Sequence, residues 1–240
     1  MMAAVWSAIY VAPLIVLATI YWGTLSMVIS WFSSDPRKQN WCERTWAKTL
    51  LWIAGVRVSI EGLHHLRPGE SYVFSSNHLS YLDTPVVLAS IPALFRFLAK
   101  SELFKIPFMG WHLGRAGHIS VPLDDPRASI RTLSKAAALL QAEKISLLVF
   151  PEGGRSETGI LQEFRDGAAY LALKSQVPLV PIALMGVRDR LPMGSLVFRR
   201  GKVTLRVSKP IETAGLRLSE RGRITEELRE RIVGMLADGQ

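Results

Sequence analysis

Residues 145–156 read Ile-Ser-Leu-Leu-Val-Phe-Pro-Glu-Gly-Gly-Arg-Ser, and no other stretch says more about the fold class. Apart from Ser146, the first six residues are apolar, as in a strand that is buried on both faces. Pro151 and the two glycines after Glu152 end that strand and begin a loop. Because such strands occur mainly in parallel sheets covered by helices, the stretch favours an α/β domain.

The sequence on either side alternates between short apolar runs and helical periodicity. The further predicted strands are Val56–Ile60, Tyr72–Ser76, Phe95–Ala99, His118–Val121, Leu179–Leu184 and Val203–Val207. Residues 128–143 and 220–238 repeat apolar side chains every three or four positions, as one face of a helix does. We therefore predict an α/β fold with a largely parallel sheet, and a long basic loop over residues 186–201.

Composition restricts the partners and the chemistry. The 240-residue chain has 29 Lys and Arg against 20 Asp and Glu, a net charge of +9, which calls for an anionic partner. Nucleic acid, an anionic membrane surface and a phosphorylated substrate all satisfy that requirement. The single cysteine, Cys42, excludes an intrachain disulfide and zinc sites built on paired cysteines.

The first 34 residues contain no Asp, Glu, Lys, Arg or His. About 20 apolar residues cross a bilayer core, so this segment either crosses at a tilt or breaks near Pro13 or Gly23 and lies in one leaflet. Residues 35–54 are rich in basic residues and tryptophan, which is typical of a connector at the cytoplasmic interface. We predict a membrane-associated helical segment over residues 1–54 and a cytoplasmic-side domain over residues 55–240.

His78 and Asp83 follow a predicted strand, where ligands gather in α/β domains. Five residues apart, they meet only if His78 lies in the loop and a helix begins near residues 80–83, a placement that Pro85 supports. A carboxylate beside an imidazole orients the ring and makes it a general base. The alternative is a capping box, in which Asp83 only closes the helix terminus.

The loop after the 145–150 strand is a second candidate site. Gly153 and Gly154 let backbone N–H groups approach a ligand closely, and the Arg155 guanidinium suits phosphate oxygens. Glu152 either accepts a hydrogen bond from a substrate hydroxyl or holds the arginine, and Lys100 is a further phosphate candidate. The alternative is an ordinary turn with an exposed ion pair.

Other chemistries lack their residue patterns. A Gly-x-Ser-x-Gly nucleophile elbow is absent from the sequence. His112 and His118 have no companion ligands at metal spacing, so we predict no metal site. The basic residues near the C-terminus lack a recognition helix or an aromatic stacking platform, so nucleic acid is not an expected partner.

Three blocks, in this order, resemble the glycerolipid acyltransferase family, specifically the 1-acylglycerol-3-phosphate acyltransferases. The blocks are Asn77-His78-x4-Asp83, Phe150-Pro151-Glu152-Gly153-Gly154-Arg155-Ser156 and Val177-Pro178-Leu179-Val180-Pro181. The second block departs from the family pattern at Gly154, where threonine is usual. Lys100 and Glu102 also fit the family's Lys-x-Glu-Leu stretch. The resemblance covers about residues 55–210.

This resemblance implies a mixed, largely parallel sheet flanked by helices. It also implies acyl transfer from acyl-CoA or acyl carrier protein to the sn-2 hydroxyl of lysophosphatidic acid, forming phosphatidic acid in phospholipid biosynthesis without a metal or cofactor. His78 would be the general base, oriented by Asp83, at the cell inner membrane or another membrane. The implied substrate-binding residues are Lys100, Glu152, Gly153, Gly154 and Arg155.

One departure from the family bears on the acceptor. After the strand that ends at Val121 the family commonly places a basic residue, whereas this chain has Pro-Leu-Asp-Asp over residues 122–125. Either Arg127 replaces it or the acceptor is another lyso-lipid. A non-catalytic lipid-binding membrane protein and a hydrolase that passes the acyl group to water are the remaining alternatives.

Overall fold

The computed structural model describes residues 2–239, which fold around a seven-stranded sheet. The strands are β1 (Val56–Glu61), β2 (Val73–Ser76), β3 (Phe95–Lys100), β4 (Ile119–Val121), β5 (Ser146–Val149), β6 (Leu179–Met185) and β7 (Gly201–Val207). Their order across the sheet is β1-β7-β6-β2-β5-β3-β4. Every neighbouring pair is parallel except β6 and β7, which run antiparallel. The predicted α/β fold with a largely parallel mixed sheet is confirmed.

Helices cover both faces of this sheet. They are α1 (Met2–Phe32), α2 (Pro36–Ile53), α3 (Asp83–Ser90), α4 (Met109–Arg115), α5 (Pro126–Glu143), α6 (Gly167–Ser175), α7 (Val187–Arg190) and α8 (Arg221–Ala237). Successive strand residues point to opposite faces, so Val73 packs with residues of α5, α6 and α8, whereas Phe74 packs with residues of α2 and α3. Both neighbours are fully buried, which explains why the central strands are continuous apolar runs.

Aspartate–proline pairs begin two of the long helices. The Asp35 carboxylate accepts a hydrogen bond from the Arg37 N–H (2.9 Å) at the start of α2, and Asp125 accepts one from the Ala128 N–H (3.0 Å) at the start of α5. Each cap satisfies a backbone donor without an intrahelical partner, and the following proline has no N–H to satisfy. These helix starts are therefore set by local sequence.

The N-terminal segment forms a helical hairpin. α1 runs without interruption through Pro13 and Gly23, with a π-helical stretch at Ser7–Val11, and the chain turns at residues 33–35 before α2. A break near Pro13 or Gly23 was the expectation for a segment within one leaflet, and that position is wrong. Pro13 has no N–H to donate to the helix. It is accommodated after a wider π-helical turn, in which the Ala12 N–H bonds the Ser7 carbonyl. The connector predicted over residues 35–54 is helical over Pro36–Ile53, which form α2.

The basic loop predicted over residues 186–201 is partly helical. Val187–Arg190 forms the short helix α7, and the chain then returns to the edge of the sheet as a loop. The Arg199 N–H donates a hydrogen bond to the Arg190 carbonyl (2.8 Å), which closes that loop. This long return lets β7 run antiparallel to β6, because the chain does not cross over the sheet between them.

Candidate active site

Three neighbouring strands carry the predicted site residues at one edge of the sheet. β2 leads into His78, β5 leads into the loop that contains Arg155, and β3 ends at Lys100. β2, β5 and β3 are adjacent and parallel, so their carboxyl ends meet. The structure therefore brings together residues that are up to 77 positions apart in the chain.

His78 and Asp83 form a buried pair. The His78 Nδ1–H donates a hydrogen bond of 2.8 Å to Asp83 Oδ2, and the side-chain exposures are 9% and 0%. α3 begins at Asp83, so His78 lies in the loop, as the spacing required. The same Oδ2 atom accepts the N–H groups of Leu79 (2.7 Å) and Ser80 (2.9 Å). Asp83 thus orients the imidazole and also holds the backbone of the loop that precedes α3. It does not cap α3, whose N-cap residue is Leu82, so the capping-box alternative does not account for its position.

The other face of the imidazole is fixed by an aromatic ring. The ring centroids of His78 and Phe150 lie 3.8 Å apart at an interplanar angle of 10°, which is a stacked arrangement. Burial lowers the pKa of the His78 imidazole, and the hydrogen bond to Asp83 only partly offsets that effect. With Nδ1 protonated toward Asp83, Nε2 is the free basic nitrogen, and His78 lines a large cavity.

Glu152 holds the His78 loop through hydrogen bonds to backbone N–H groups. Its Oε1 atom accepts the His78 N–H (2.6 Å), and its Oε2 atom accepts the Gln162 N–H (2.9 Å). The side chain is buried, and burial raises the pKa of its carboxyl. It is not among the residues that line the cavity within the described chain. The prediction that Glu152 contacts substrate is therefore not supported by its position; both oxygens are occupied by backbone donors.

Arg155 reaches the cavity across the His78 loop. Its Nε–H donates to the Ser80 carbonyl (3.2 Å), and its guanidinium carbon lies 4.5 Å from the centre of the Tyr81 ring. Burial lowers the pKa of the guanidinium, which nonetheless stays charged at neutral pH. These contacts hold the guanidinium of Arg155, which is one of the residues that line the cavity.

The glycine pair gives the loop its shape. Gly153 has φ +73°, and a Cβ built there would lie 3.0 Å from the guanidinium carbon of Arg165. Gly154 has open space around its Cα and also lines the cavity. Gly153 thus leaves room for the Arg165 side chain, and Gly154 leaves open space beside Arg155 in the chain.

Two further cations lie on the same cavity wall. Lys100 is exposed at the end of β3, as predicted, and Arg165 is exposed just before α6. Sequence reasoning missed Arg165, which lies ten residues after Arg155 and outside the three matching blocks. Arg127, considered above as a replacement for the missing basic residue, is not among the cavity-lining residues of the described chain. Among the described residues, Arg155 and Arg165 are therefore the arginines that line the cavity.

The cavity is large and mostly apolar away from these groups. Its volume is about 1230 Å³, and it extends from His78 to the N-terminal hairpin and α4. Apolar side chains that line it include Ile15, Trp22, Trp46, Leu88, Leu98, Leu113 and Leu133. A volume of this size, polar at one end and apolar along its length, suits an amphiphile with a long hydrocarbon chain.

A buried cluster on the cavity wall joins α2 to the domain. Glu43 Oε1 accepts hydrogen bonds from Nε2 of His112 (3.1 Å) and Nε2 of His118 (2.7 Å). The sequence prediction that these histidines lack a companion is thus wrong, because Glu43 comes from a distant helix. Burial alone would raise the pKa of Glu43, but the two imidazoles lower it to about 2. His118 Nδ1 accepts the Phe97 N–H (3.0 Å), so Nε2 carries its proton and is unsuited to a metal.

Comparison with known proteins shows which family this chain resembles. A family model described as Acyltransferase matches residues 57–185, more than half of the chain. A 1-acyl-sn-glycerol-3-phosphate acyltransferase from Limnanthes douglasii is 31% identical over 207 residues, 85% of this chain and 73% of that protein. A chloroplast enzyme of the same name from Arabidopsis thaliana is 37% identical over 182 residues, 74% of this chain and 50% of that protein.

The chain spans between about half and about three quarters of the length of the curated relatives it matches. The crystal structure of the 1-acyl-sn-glycerophosphate (LPA) acyltransferase PlsC from Thermotoga maritima aligns with a TM-score of 0.78 at 23% identity. The alignment covers 96% of this chain and 92% of that chain, which shows a shared fold. From the matched family model, the relatives and the site that they cover, the chain belongs to the acyltransferase family.

Proposed function

We propose that this protein transfers a fatty-acyl group from an acyl thioester to the free sn-2 hydroxyl of 1-acylglycerol-3-phosphate. The observation that carries the proposal is the His78–Asp83 pair, whose free Nε2 belongs to a residue lining a cavity with cations at one end. Relatives named for this activity, at 30–37% identity, support it. The product would be phosphatidic acid, an intermediate of phospholipid biosynthesis.

The proposed reaction needs no covalent enzyme intermediate. His78 Nε2 takes the proton from the acceptor hydroxyl while the hydroxyl oxygen attacks the thioester carbonyl carbon. The tetrahedral intermediate then breaks its C–S bond, and the imidazolium returns the proton to the departing thiolate. Asp83 stabilises the imidazolium between the two transfers because its carboxylate lies 2.8 Å from Nδ1. General-base catalysis of this kind contributes about 10²–10⁴-fold in rate.

Acceptor binding is proposed for the cationic end of the cavity. Arg155 is fixed by Ser80 and Tyr81, while Arg165 and Lys100 are exposed and adaptable. Guanidinium groups pair with phosphate through two parallel hydrogen bonds, so Arg155 and Arg165 suit the acceptor's phosphate. Holding that phosphate aligns the sn-2 hydroxyl, and such positioning can contribute up to about 7–11 kcal/mol to the lowered barrier.

We further propose that residues 1–54 attach the protein to one leaflet and that residues 55–240 form the acyltransferase domain on the cytoplasmic side. α1 is long and apolar enough to cross a membrane by length and composition. However, the Phe198 N–H donates to Ser7 Oγ (2.9 Å), and Ser26 Oγ contacts His112 Nδ1 (3.1 Å). Those serines are separated by about 28 Å of helix, so both ends of α1 rest on the same domain.

The donor is either acyl-CoA or acyl carrier protein, and a second acceptor class deserves a test. The loop after β4 begins without the basic residue of the family pattern, so fewer cations are available for a bare phosphate. Acceptors with different headgroups should therefore be tested. We propose lysophosphatidic acid because three cations line the cavity, and another lyso-lipid as the alternative.

The test is a purified-enzyme assay with labelled acyl-CoA and acyl carrier protein against lyso-lipids of different headgroup, with products identified by mass. We expect phosphatidic acid from the native protein and a loss of at least 10²-fold in His78→Ala. His64→Ala is the matched control, since His64 is exposed and outside the cavity.

Three outcomes would contradict the proposal. Near-normal turnover by His78→Ala would remove its role as base. Free fatty acid without a diacylated product would identify a hydrolase. Lipid binding without thioester consumption would identify a non-catalytic lipid-binding protein.

A further inference from the structure

Residues 106–111, between β3 and β4, form an exposed apolar surface that is named here the 106–111 ridge. Phe108 and Trp111 are 68% and 58% exposed, and Ile106 and Met109 are also exposed. Four large apolar side chains at the surface within six residues are unusual for a protein whose whole surface faces water. The fold does not require them there, because both hydrophobic cores form without any of the four.

The backbone of the ridge holds these side chains outward. Phe108 has φ +64°, a left-handed conformation that is disfavoured for residues other than glycine. Gly110 lies in the first turn of α4, where a Cβ would lie 2.0 Å from the Phe104 carbonyl oxygen. A strained residue inside a tightly packed turn is a feature that often marks functional segments. The backbone conformation therefore holds the Phe108 side chain at the surface.

The ridge is continuous with the apolar surface of α1. The rings of Phe108 and Trp111 lie 5.6 Å apart, and Trp111 lines a small surface depression together with Trp31 of α1. Trp31 and Phe32 at the end of α1 are 66% and 84% exposed. One apolar surface therefore runs from the end of α1 onto the ridge, and it belongs to two segments far apart in sequence.

Two further features indicate what contacts this surface. Lys105 and Arg115 flank the ridge in sequence and are both exposed, so cations border the apolar side chains. Tryptophan at an apolar edge bordered by cations is typical of proteins that sit at a bilayer interface with anionic headgroups. Ile106, Phe108 and Met109 also line the 1230 Å³ cavity, so the ridge lies where that cavity meets the surface.

We propose that the 106–111 ridge inserts into the interfacial region of the bilayer as a second attachment, in addition to the N-terminal hairpin. The inserted ridge places the cavity opening among acyl chains, so that an amphiphile moves between leaflet and cavity without crossing water. This inference rests on the proposed membrane attachment of residues 1–54. It adds an element of the domain itself to the membrane contact and places the cavity opening there.

Insertion is tested by labelling one position at a time with an environment-sensitive fluorophore on an introduced cysteine. Phe108→Cys reports on the ridge, Trp31→Cys reports on the end of α1, and Val233→Cys on α8 is the control that faces away. Val233 is 41% exposed, and α8 packs on the opposite face of the sheet from the N-terminal hairpin. Each variant carries Cys42→Ala, since Cys42 is the single native cysteine and is buried.

The full-length protein is mixed with phosphatidylcholine vesicles that contain phosphatidylglycerol and a doxyl-labelled quencher lipid. We expect a blue shift and strong quenching for the labels at 31 and 108, and neither at 233. A label at 108 that stays in water while that at 31 is quenched would overturn this inference and leave the proposed attachment intact. Unquenched labels at both positions would overturn both. A blue shift at 108 without vesicles, dependent on protein concentration, would assign the ridge to a second copy of the chain.

A functional readout uses Trp111→Ser, because Trp111 is on the ridge but does not line the large cavity. Removing one exposed tryptophan from the membrane contact is expected to raise the apparent KM for a vesicle-borne acceptor roughly tenfold. Turnover of a short-chain, water-soluble acceptor is expected to stay within twofold of the native value. Equal losses with both acceptors would show a folding defect or a role in catalysis and would contradict the inference.

Discussion

Replacing Asp83 by asparagine removes one negative charge and keeps nearly the same shape. Asp83 Oδ2 accepts three hydrogen bonds, from His78 Nδ1 and from the N–H groups of Leu79 and Ser80. An amide oxygen in the same place still accepts all three, so the loop that carries His78 keeps its shape. What disappears is the charge that stabilises the His78 imidazolium during the transfer of the proton.

The expected loss of rate in Asp83→Asn follows from the role of that charge, and is at most the whole contribution of general-base catalysis. General-base catalysis contributes about 10²–10⁴-fold, which corresponds to about 2.7–5.4 kcal/mol at 1.36 kcal/mol for each factor of ten. Burial already lowers the pKa of His78, and the interaction with Asp83 is what raises it again. In Asp83→Asn the pKa of His78 therefore falls further. Because the active form is the neutral imidazole, the acid limb of the rate profile moves to lower pH while its plateau drops.

The assay is kcat/KM for the acceptor between pH 5 and pH 9 in detergent, with thermal unfolding to verify that the variant is folded. Asp124→Asn is the matched control, since Asp124 is exposed and outside the cavity wall. A plateau within threefold of the native rate, or an acid limb displaced to higher pH, would refute the assignment of Asp83 as the orienting carboxylate.

Three further predictions follow from other contacts. Arg165→Ala is expected to raise KM for the acceptor about 10–100-fold with a smaller effect on kcat, whereas the control Arg127→Ala leaves both unchanged. Glu152→Gln turns one buried amide toward a backbone N–H, so it is expected to cost about 1–3 kcal/mol of unfolding free energy and to lower kcat; an unchanged urea midpoint would contradict this. Glu43 has a pKa of about 2 against an ordinary 4.5. Above pH 4.5 the free energy of unfolding of the native protein should therefore exceed that of Glu43→Gln by up to about 3 kcal/mol. That advantage is lost as pH falls toward 2, and urea unfolding at pH 7 and pH 3 measures it.

Asp83 and Glu152 show how two carboxylates near one histidine acquire different tasks. Asp83 contacts the ring and thus acts on the proton, whereas Glu152 contacts only backbone N–H groups of the His78 loop and of Gln162. Both residues are buried, so each needs hydrogen-bond donors to offset the loss of water. The role of each carboxylate thus depends on its donors: Asp83 affects proton transfer at His78, and Glu152 holds the loop in place.

Much of the fold was accessible from local sequence. The seven apolar runs became the seven strands because a strand buried on both faces has no polar positions to spare, as Val73 and Phe74 illustrate. The α3 start was predictable from the spacing of His78, Asp83 and Pro85. The order of the strands and the antiparallel direction of β7 were not accessible, because an apolar run indicates burial and not which neighbour provides it.

The candidate site divides in the same way. The sequence alone determined the chemical groups, an imidazole with a carboxylate and a glycine loop with an arginine, since these depend on residue type and short spacing. Only the tertiary structure turned Glu152 away from the cavity, brought Arg165 to it and joined Glu43 to His112 and His118. It also placed both ends of α1 on the domain. Contacts between residues far apart in the chain depend on strand order and helix packing, which are set by the free energy of the whole fold.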